Sequence, residues 1–425
     1  AFRQINLSYI MEQVVTRGNA AKWYTSNYDD YDMYLRAGSA GALARQRGLE
    51  QSGFWRKVVQ HPSYDAFWQQ QAMDKILAKQ PVTVPTLLVH SLWDAEDIYG
   101  PVAVYKAIKP NDRNNLVHLS LGPWNHGGAI GDGSSLGAIK FGSDTALYWR
   151  QAVLRPFLDR YLKGIEATPD IPTVTAFETG TNQWRSLSSW PSAATPVALR
   201  LAANQKAVLG GAADSRAYDE YVSDPSKPVP FRQRPIPPYG YDEAKGQTWP
   251  RWMVDDQREA SGRTDVATFV SDVLTAPVKI SGEPVANLVA STSGTDADWV
   301  VKVIDVYPDQ VGSQPALGGY QLMISGDIFR GRYREGYDKP KPLAANKALS
   351  YRFGLPTANH VFLPGHRIMV QVQSSWFPLY DRNPQTYVEN IFLTRPEDYK
   401  KATQRIYHSS FVELPVVDTP ASAAR

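Results

Sequence analysis

The sequence predicts two architectures in one chain: an α/β segment, then an all-β domain built as a jelly roll or similar sandwich. Three observations predict them. Between residues 82 and 121 two short apolar runs flank a helical pattern; beyond Pro169 helical periodicity fades and strand-like runs recur between Gly, Pro, Asn and Asp turns. The third is size: 425 residues, 43% of them hydrophobic and 12% aromatic, exceed one ordinary core.

Taken in order, residues 1–80 are rich in helix-favouring types, with amphipathic stretches at 50–60 and 64–79, and read as a helical segment. The run 82–90 carries Val82, Val84, Leu87, Leu88 and Val89 and gives way to Ser91, Leu92, Trp93 and Asp94, a buried strand followed by a loop. Residues 99–109 have helical spacing with Pro101 near the start, where its missing N–H leaves no bond unmade. A second short strand, 116–121, runs into Gly122, Pro123, Trp124, Asn125 and His126, so the segment is a βαβ unit. After a Gly- and Ser-rich loop at 127–137, Asp144 caps a helix to about Lys163. It is expected to turn Leu147, Val153, Leu154, Phe157, Leu158 and Leu162 inward and to bend at Pro156.

The clearest β-domain runs are 173–177, 197–201, 278–280, 299–306, 349–353 and 368–372. The last alternates Ile368, Val370 and Val372 with Met369, Gln371 and Gln373. Two packed sheets would bury them. Between 223 and 250, Pro225, Pro228, Pro230, Pro235, Pro237 and Pro238 can neither donate to a ladder nor continue a helix, and the stretch reads as a long surface connection.

Composition excludes several function classes. The 45 Lys and Arg against 42 Asp and Glu leave a small, dispersed excess, so neither nucleic acid nor an anionic membrane is an expected partner. Zero cysteines remove disulfides, thiolate nucleophiles and Cys-based metal sites. No run approaches the ~18 apolar residues of a membrane helix. The start at Ala1-Phe2-Arg3-Gln4 has neither an initiator Met nor a signal-peptide pattern, so a processed precursor or a partial chain is expected.

The most informative pair is Asp94 and His126, each just past the C-terminal end of a predicted strand, where open α/β sheets carry their sites. In α/β-hydrolases an acid and then a histidine occupy these positions: the acid accepts from one imidazole nitrogen while the other faces a serine. That serine belongs upstream on a Gly-x-Ser-x-Gly elbow, and none precedes Asp94. The one literal match, Gly133-Ser134-Ser135-Leu136-Gly137, follows the histidine without a strand leading into it, so Ser135 is not expected to be the nucleophile. Glu96 and Asp97 crowd three carboxylates into four positions; they favour a cationic ligand or else complement the N-terminus of the helix starting near Tyr99. His61, His90, His118, His360, His366 and His408 lack ligand spacing, and no metal site or cofactor is expected. Asp29, Asp30 and Asp32 read as a solvated helix start in preference to a cation site, and the Gly-rich loop lacks the features of a phosphate or dinucleotide site.

With these residues in view, the chain resembles the C-terminal two-thirds of an α-amino acid ester hydrolase, of the group that includes X-Pro dipeptidyl peptidases and bacterial cocaine esterase. The resemblance rests on Ala1-Phe2-Arg3-Gln4, Ser91-Leu92-Trp93-Asp94-Ala95-Glu96-Asp97 and Gly122-Pro123-Trp124-Asn125-His126. In the β domain it rests on Asp298-Trp299-Val300-Val301-Lys302, Phe329-Arg330-Gly331-Arg332-Tyr333-Arg334-Glu335 and Phe377-Pro378-Leu379-Tyr380-Asp381-Arg382-Asn383-Pro384. It implies a partial α/β-hydrolase domain (81–168), a helical cap inserted in that domain (1–80) and a jelly-roll domain (169–425). It further implies Asp94 and His126 as triad members, Glu96 and Asp97 as binders of a substrate α-ammonium, and acyl transfer from α-amino acid esters and amides, including α-amino β-lactams. The family's serine, oxyanion tyrosine and third acidic residue are expected before Ala1, on an N-terminal segment of the same protein. Export to the periplasm or exterior and a homo-oligomer are implied as well. The rival expectations are an X-Pro dipeptidyl peptidase, an esterase of the cocaine esterase type, and a non-catalytic jelly-roll binding module.

Overall fold

The computed structural model describes residues 1–10, 26–165, 170–211, 217–242, 244 and 246–417. The expected boundary at 168/169 and residues 11–25 of the helical segment lie outside them. Helices occupy Asn6–Ile10, Asp30–Ala37, Ala40–Gln46, Gly53–Gln60, Ala66–Gln69 and Met73–Leu77. Side chains cap several of them: Asp29, Ser39, Ser52 and Asp65 each accept a backbone N–H of the first turn. Among the described residues no helix is long and apolar enough to cross a membrane.

The fold is an α/β layer followed by a β-sandwich domain. Strand β1 (Thr86–Ser91), helix α1 (Gly100–Ile108) and β2 (Val117–Gly122) form the expected βαβ unit, with β1 and β2 parallel from Thr86↔Val117 to Ser91↔Gly122. The run 173–177, expected in the β domain, instead becomes β3 (Val174–Glu178), parallel to β2, and returns as a hairpin through β4 (Gln183–Leu187). Its five residues are all buried, because a parallel strand is covered on both faces.

The helix begun at Asp144 also departs from expectation. Its caps hold, with Asp144 accepting the Leu147 N–H at 2.9 Å, but residues 150–154 form a π turn before Pro156. The wider turn puts Ala146, Trp149, Val153 and Phe157 inward and leaves Leu147, Leu158 and Leu162 exposed.

Among the described residues, hydrogen bonds link 13 strands in the β domain, in almost wholly antiparallel pairs. Next to the end strand Gln321–Arg330 lies Asp298–Val306, paired on its other side with Arg367–Gln373. The alternation at 368–372 does not divide buried from exposed faces, since Ile368 through Gln373 are all buried. The polar members instead form a row across the sheet, with Thr268 opposite Gln371 and Gln371 opposite Lys302. Lys302 is wholly buried; its Nζ donates to Gln257 Oε1 at 2.8 Å and lies 5.2 Å from the Trp376 ring centre. Burial pushes its ammonium down to about 7.

Because the unfolded lysine holds its proton up to about 10.5, the folded form gains stability as pH rises from about 7 towards 10. Lys302→Met is therefore expected to raise the unfolding free energy at pH 6 by about 1 kcal/mol or more, the advantage shrinking at pH 9–10. Denaturant titrations at the two pH values check this, and an unstable variant at pH 6 contradicts it.

Candidate active site

Parallel pairing brings the ends of β1 and β2 to one edge, and the ladder runs on past both strands. Leu92 N–H donates to Gly122 O at 2.9 Å and Trp93 N–H to Trp124 O at 3.1 Å, so the two following loops stay side by side. Gly122 is required here, because a Cβ would lie 2.4 Å from the Trp124 ring. Trp124 donates its indole N–H to Thr145 Oγ1 at 2.9 Å, fixing the histidine loop from behind. The indole of Trp93 donates to Met323 O at 3.0 Å, fixing the acid loop against the β domain.

Asp94 and His126 consequently meet. The imidazole Nδ1 lies 3.1 and 3.2 Å from the two Asp94 oxygens, while Nε2 has no hydrogen-bond partner among the described residues. With Nδ1–H donating to the carboxylate, Nε2 is the free, basic nitrogen. Asp94 is buried, and its Oδ1 also accepts the backbone N–H groups of Glu96 at 2.8 Å and Asp97 at 2.9 Å.

Glu96 and Asp97 do not complement α1. That helix starts at Gly100 behind an N-cap Tyr99 that makes no capping bond, and its first turn holds no acid. Asp97 instead sets Oδ2 3.5 Å from His126 Nδ1 and is largely exposed. Glu96 is held separately, with Oε1 accepting from Tyr239 Oη at 3.0 Å and from Tyr241 Oη, and its backbone carbonyl accepting from Arg3 at 3.3 Å. Partial burial of the imidazole acts to lower its basicity, but Asp94, Glu96 and Asp97 outweigh that and hold His126 above its ordinary value. Nearby His90 is buried and pushed down to about 4, so it stays neutral.

The tyrosines and Arg3 were not among the expected site residues. The tyrosines come from the Pro-rich stretch, which is not a surface connection: Val229, Phe231, Ile236, Tyr239 and Trp249 are buried. Asp29, Asp30 and Asp32 anchor it and are not a solvated helix start. Asp29 accepts from Ile236 N–H at 3.0 Å and pairs with Arg234 at 2.8 Å, and Arg234 reaches Asp32 at 2.7 Å. Asp30 is 1% exposed, and burial pushes its carboxyl up to about 8. The only sequence signal was the spacing Tyr239-Gly240-Tyr241 after the prolines.

Other candidates fall elsewhere. Ser135 lies in a two-residue hairpin, Ser135–Leu136 with Ile139–Lys140, and not on an elbow between strand and helix. His61 pairs with Asp65, His360 and His366 share Asp305, His408 meets Asp219 and His118 meets Pro172 O. Among the described residues no cluster of three or more His, Asp or Glu side chains could hold a metal ion.

Comparison with known proteins places this geometry in context. Residues 1–128 match the family model of the X-Pro dipeptidyl-peptidase (S15 family), and residues 166–411 that of the X-Pro dipeptidyl-peptidase C-terminal non-catalytic domain. A cocaine esterase of Rhodococcus sp. is 31% identical over 399 residues, covering 90% of this chain and 65% of that protein. The solved structure of an aminopeptidase from a marine sediment Thaumarchaeota archaeon is 53% identical with a TM-score of 0.94, over 98% of this chain and 69% of that one. That of an α-amino acid ester hydrolase is 50% identical with a TM-score of 0.90, over the same shares. The chain thus spans about two thirds of the length of the relatives it matches.

The carboxylates around the imidazole set its titration. In an NMR titration the His126 ring is expected to have a midpoint above 6.5, falling in Asp97→Asn and further in Asp94→Asn. A wild-type midpoint at or below 6.5 would contradict this balance of charges.

Proposed function

From the premise that the chain belongs to the X-Pro dipeptidyl-peptidase (S15) family, we propose that it carries the acid–base pair and the ammonium subsite of a serine hydrolase and acyltransferase. Its substrates are α-amino acid esters and amides, α-amino β-lactams among them. The observation that carries the reading is the Asp94–His126 contact at 3.1 Å with Nε2 left free, flanked by Glu96 and Asp97.

The nucleophilic serine lies outside this chain, on an N-terminal segment of the same protein. In support, the one Gly-x-Ser-x-Gly pattern in the 425 residues is the hairpin at Ser135. His126 Nε2 takes the serine proton as Oγ bonds to the scissile carbonyl carbon, forming a tetrahedral adduct. The adduct collapses as the bond to the leaving oxygen or nitrogen breaks and the imidazolium returns the proton to that atom. This leaves an acyl-enzyme, which water or an amine then attacks by the same proton path. Asp94 holds the Nδ1–H tautomer and stabilises the imidazolium. The α-ammonium of the substrate sits between Glu96 and Asp97, which places the carbonyl for near-unimolecular attack.

An esterase for neutral esters is the competing reading, and the 31% identity to a cocaine esterase supports it. Paired carboxylates beside the imidazole would attract water and cations where a neutral acyl group needs an apolar wall, so the ammonium reading is favoured. An X-Pro dipeptidyl peptidase also binds an ammonium, and substrate profiling separates it.

Two experiments test the proposal. In the enzyme carrying its serine, Glu96→Gln and Asp97→Asn are expected to lower kcat/KM for an α-amino ester about tenfold or more while sparing the matching ester without the amine; equal losses on both would sink the ammonium role. The rate should rise with pH as His126 loses its proton, with a midpoint above 6.5 because the folded value is raised. A serine-reactive phosphonate should label a residue before Ala1; an adduct on Ser135 would overturn the assignment.

A further inference from the structure

We propose that Tyr239 and Tyr241 are positioning residues for the ammonium subsite: their hydroxyls occupy Glu96 Oε1 and thereby turn Oε2 to the ligand. The inference rests on the reading of Glu96 given above and names the residues that make that side chain usable.

A surface glutamate has three free torsions and no preferred direction. Here two phenols converge on one of its oxygens, Tyr239 at 3.0 Å and Tyr241 beside it, while Oε2 takes no hydrogen bond among the described residues. Two O–H donors satisfy the two lone pairs of Oε1, so the unmatched acceptor capacity lies on Oε2. The tyrosines are themselves held. Tyr239 is buried, its ring 4.9 Å from that of Trp249 and 6.2 Å edge-on from Tyr241. Gly240 between them has φ +156°, and a Cβ there would lie 2.1 Å from Gln247 Oε1, the atom that accepts the Asp242 N–H at 2.9 Å. On the other side, Asp30 accepts the Tyr239 backbone N–H, and the Asp30 N–H donates to Ile236 O at 2.8 Å. Tyr239 is thus held within the fold, while Tyr241 is 45% exposed and is tied to it through the Tyr239 ring and the Glu96 carboxylate.

Packing alone would need only the rings, whereas positioning needs the hydroxyls, so phenylalanine separates the two. In the enzyme with its serine, Tyr239→Phe/Tyr241→Phe is expected to lower the ratio of kcat/KM between an α-amino methyl ester and the same ester without the amine. The fall should be about tenfold, carried mainly by KM, with Glu96→Gln lowering that ratio further. A double variant that keeps the wild-type ratio while Glu96→Gln lowers it overturns the tyrosine assignment and leaves the ammonium reading standing. If Glu96→Gln also keeps the ratio, both fall. Equal losses on the two esters in the double variant assign the tyrosines to packing and overturn the inference as well.

Discussion

Two neighbouring strands that run the same way and stay hydrogen-bonded beyond their own ends decide where the chemistry sits. Residues 94 and 126 meet because β1 and β2 are in register to Ser91↔Gly122 and the pairing continues through Leu92 and Trp93. Each loop then needs only a few residues to present its side chain, and each is fixed from a different direction. The histidine loop leans on Thr145 and on Trp149 of the following helix, and the acid loop on the main chain of Met323 in the β domain. Disturbing either support would separate the imidazole from its carboxylate without touching either residue.

Three carboxylates and one imidazole in so small a space would be unstable if all faced one another, since like charges crowded together resist ionisation. The structure divides them. Asp94 is taken up by two backbone N–H groups and the imidazole, and Glu96 by two phenols and, through its main chain, Arg3. Asp97, the most exposed, reaches only the same imidazole nitrogen, Nδ1, at 3.5 Å. It is the acid least committed within the fold, and therefore the one whose charge a bound cation would most readily draw away from His126.

The parts legible in the sequence were those governed by local pattern. The apolar, β-branched run ending at His90, the proline at the start of α1 and the polar residues past each strand end reported the βαβ unit and with it the neighbourhood of Asp94 and His126. What escaped was set by distant partners. Glu96 meets tyrosines 143 and 145 residues away, and nothing local to Tyr239 announces a carboxylate. Prolines suggested exposure, yet the stretch is bound down by Asp29 and Asp30, themselves mistaken for solvated residues because acids at a helix start usually are. The strand at Val174 was assigned to the wrong sheet, since a short apolar run carries no record of which neighbour it pairs with.

The β-domain segments that resemble family signatures find their reason in the same geometry. Arg330 is wholly buried, pairing with Asp298 at 2.8 Å and Asp381 at 2.9 Å, and Asn383 donates to Asp298 at 2.8 Å. Burial alone would keep Asp298 protonated, but Arg330 more than offsets it, and the carboxyl is held below its usual range. Such a network contributes little net stability, yet removing one member strands a buried charge, so it acts as a device of placement. What it places is Phe2. Asp381 accepts the Phe2 N–H at 2.7 Å and donates its own N–H to Phe2 O at 2.8 Å. The next residue, Arg3, lies 5.9 Å from the ring centres of both Trp249 and Tyr380 and reaches the Glu96 carbonyl. Arg3, seated next to Phe2 on Asp381, and the two tyrosines thus hold Glu96 from two sides.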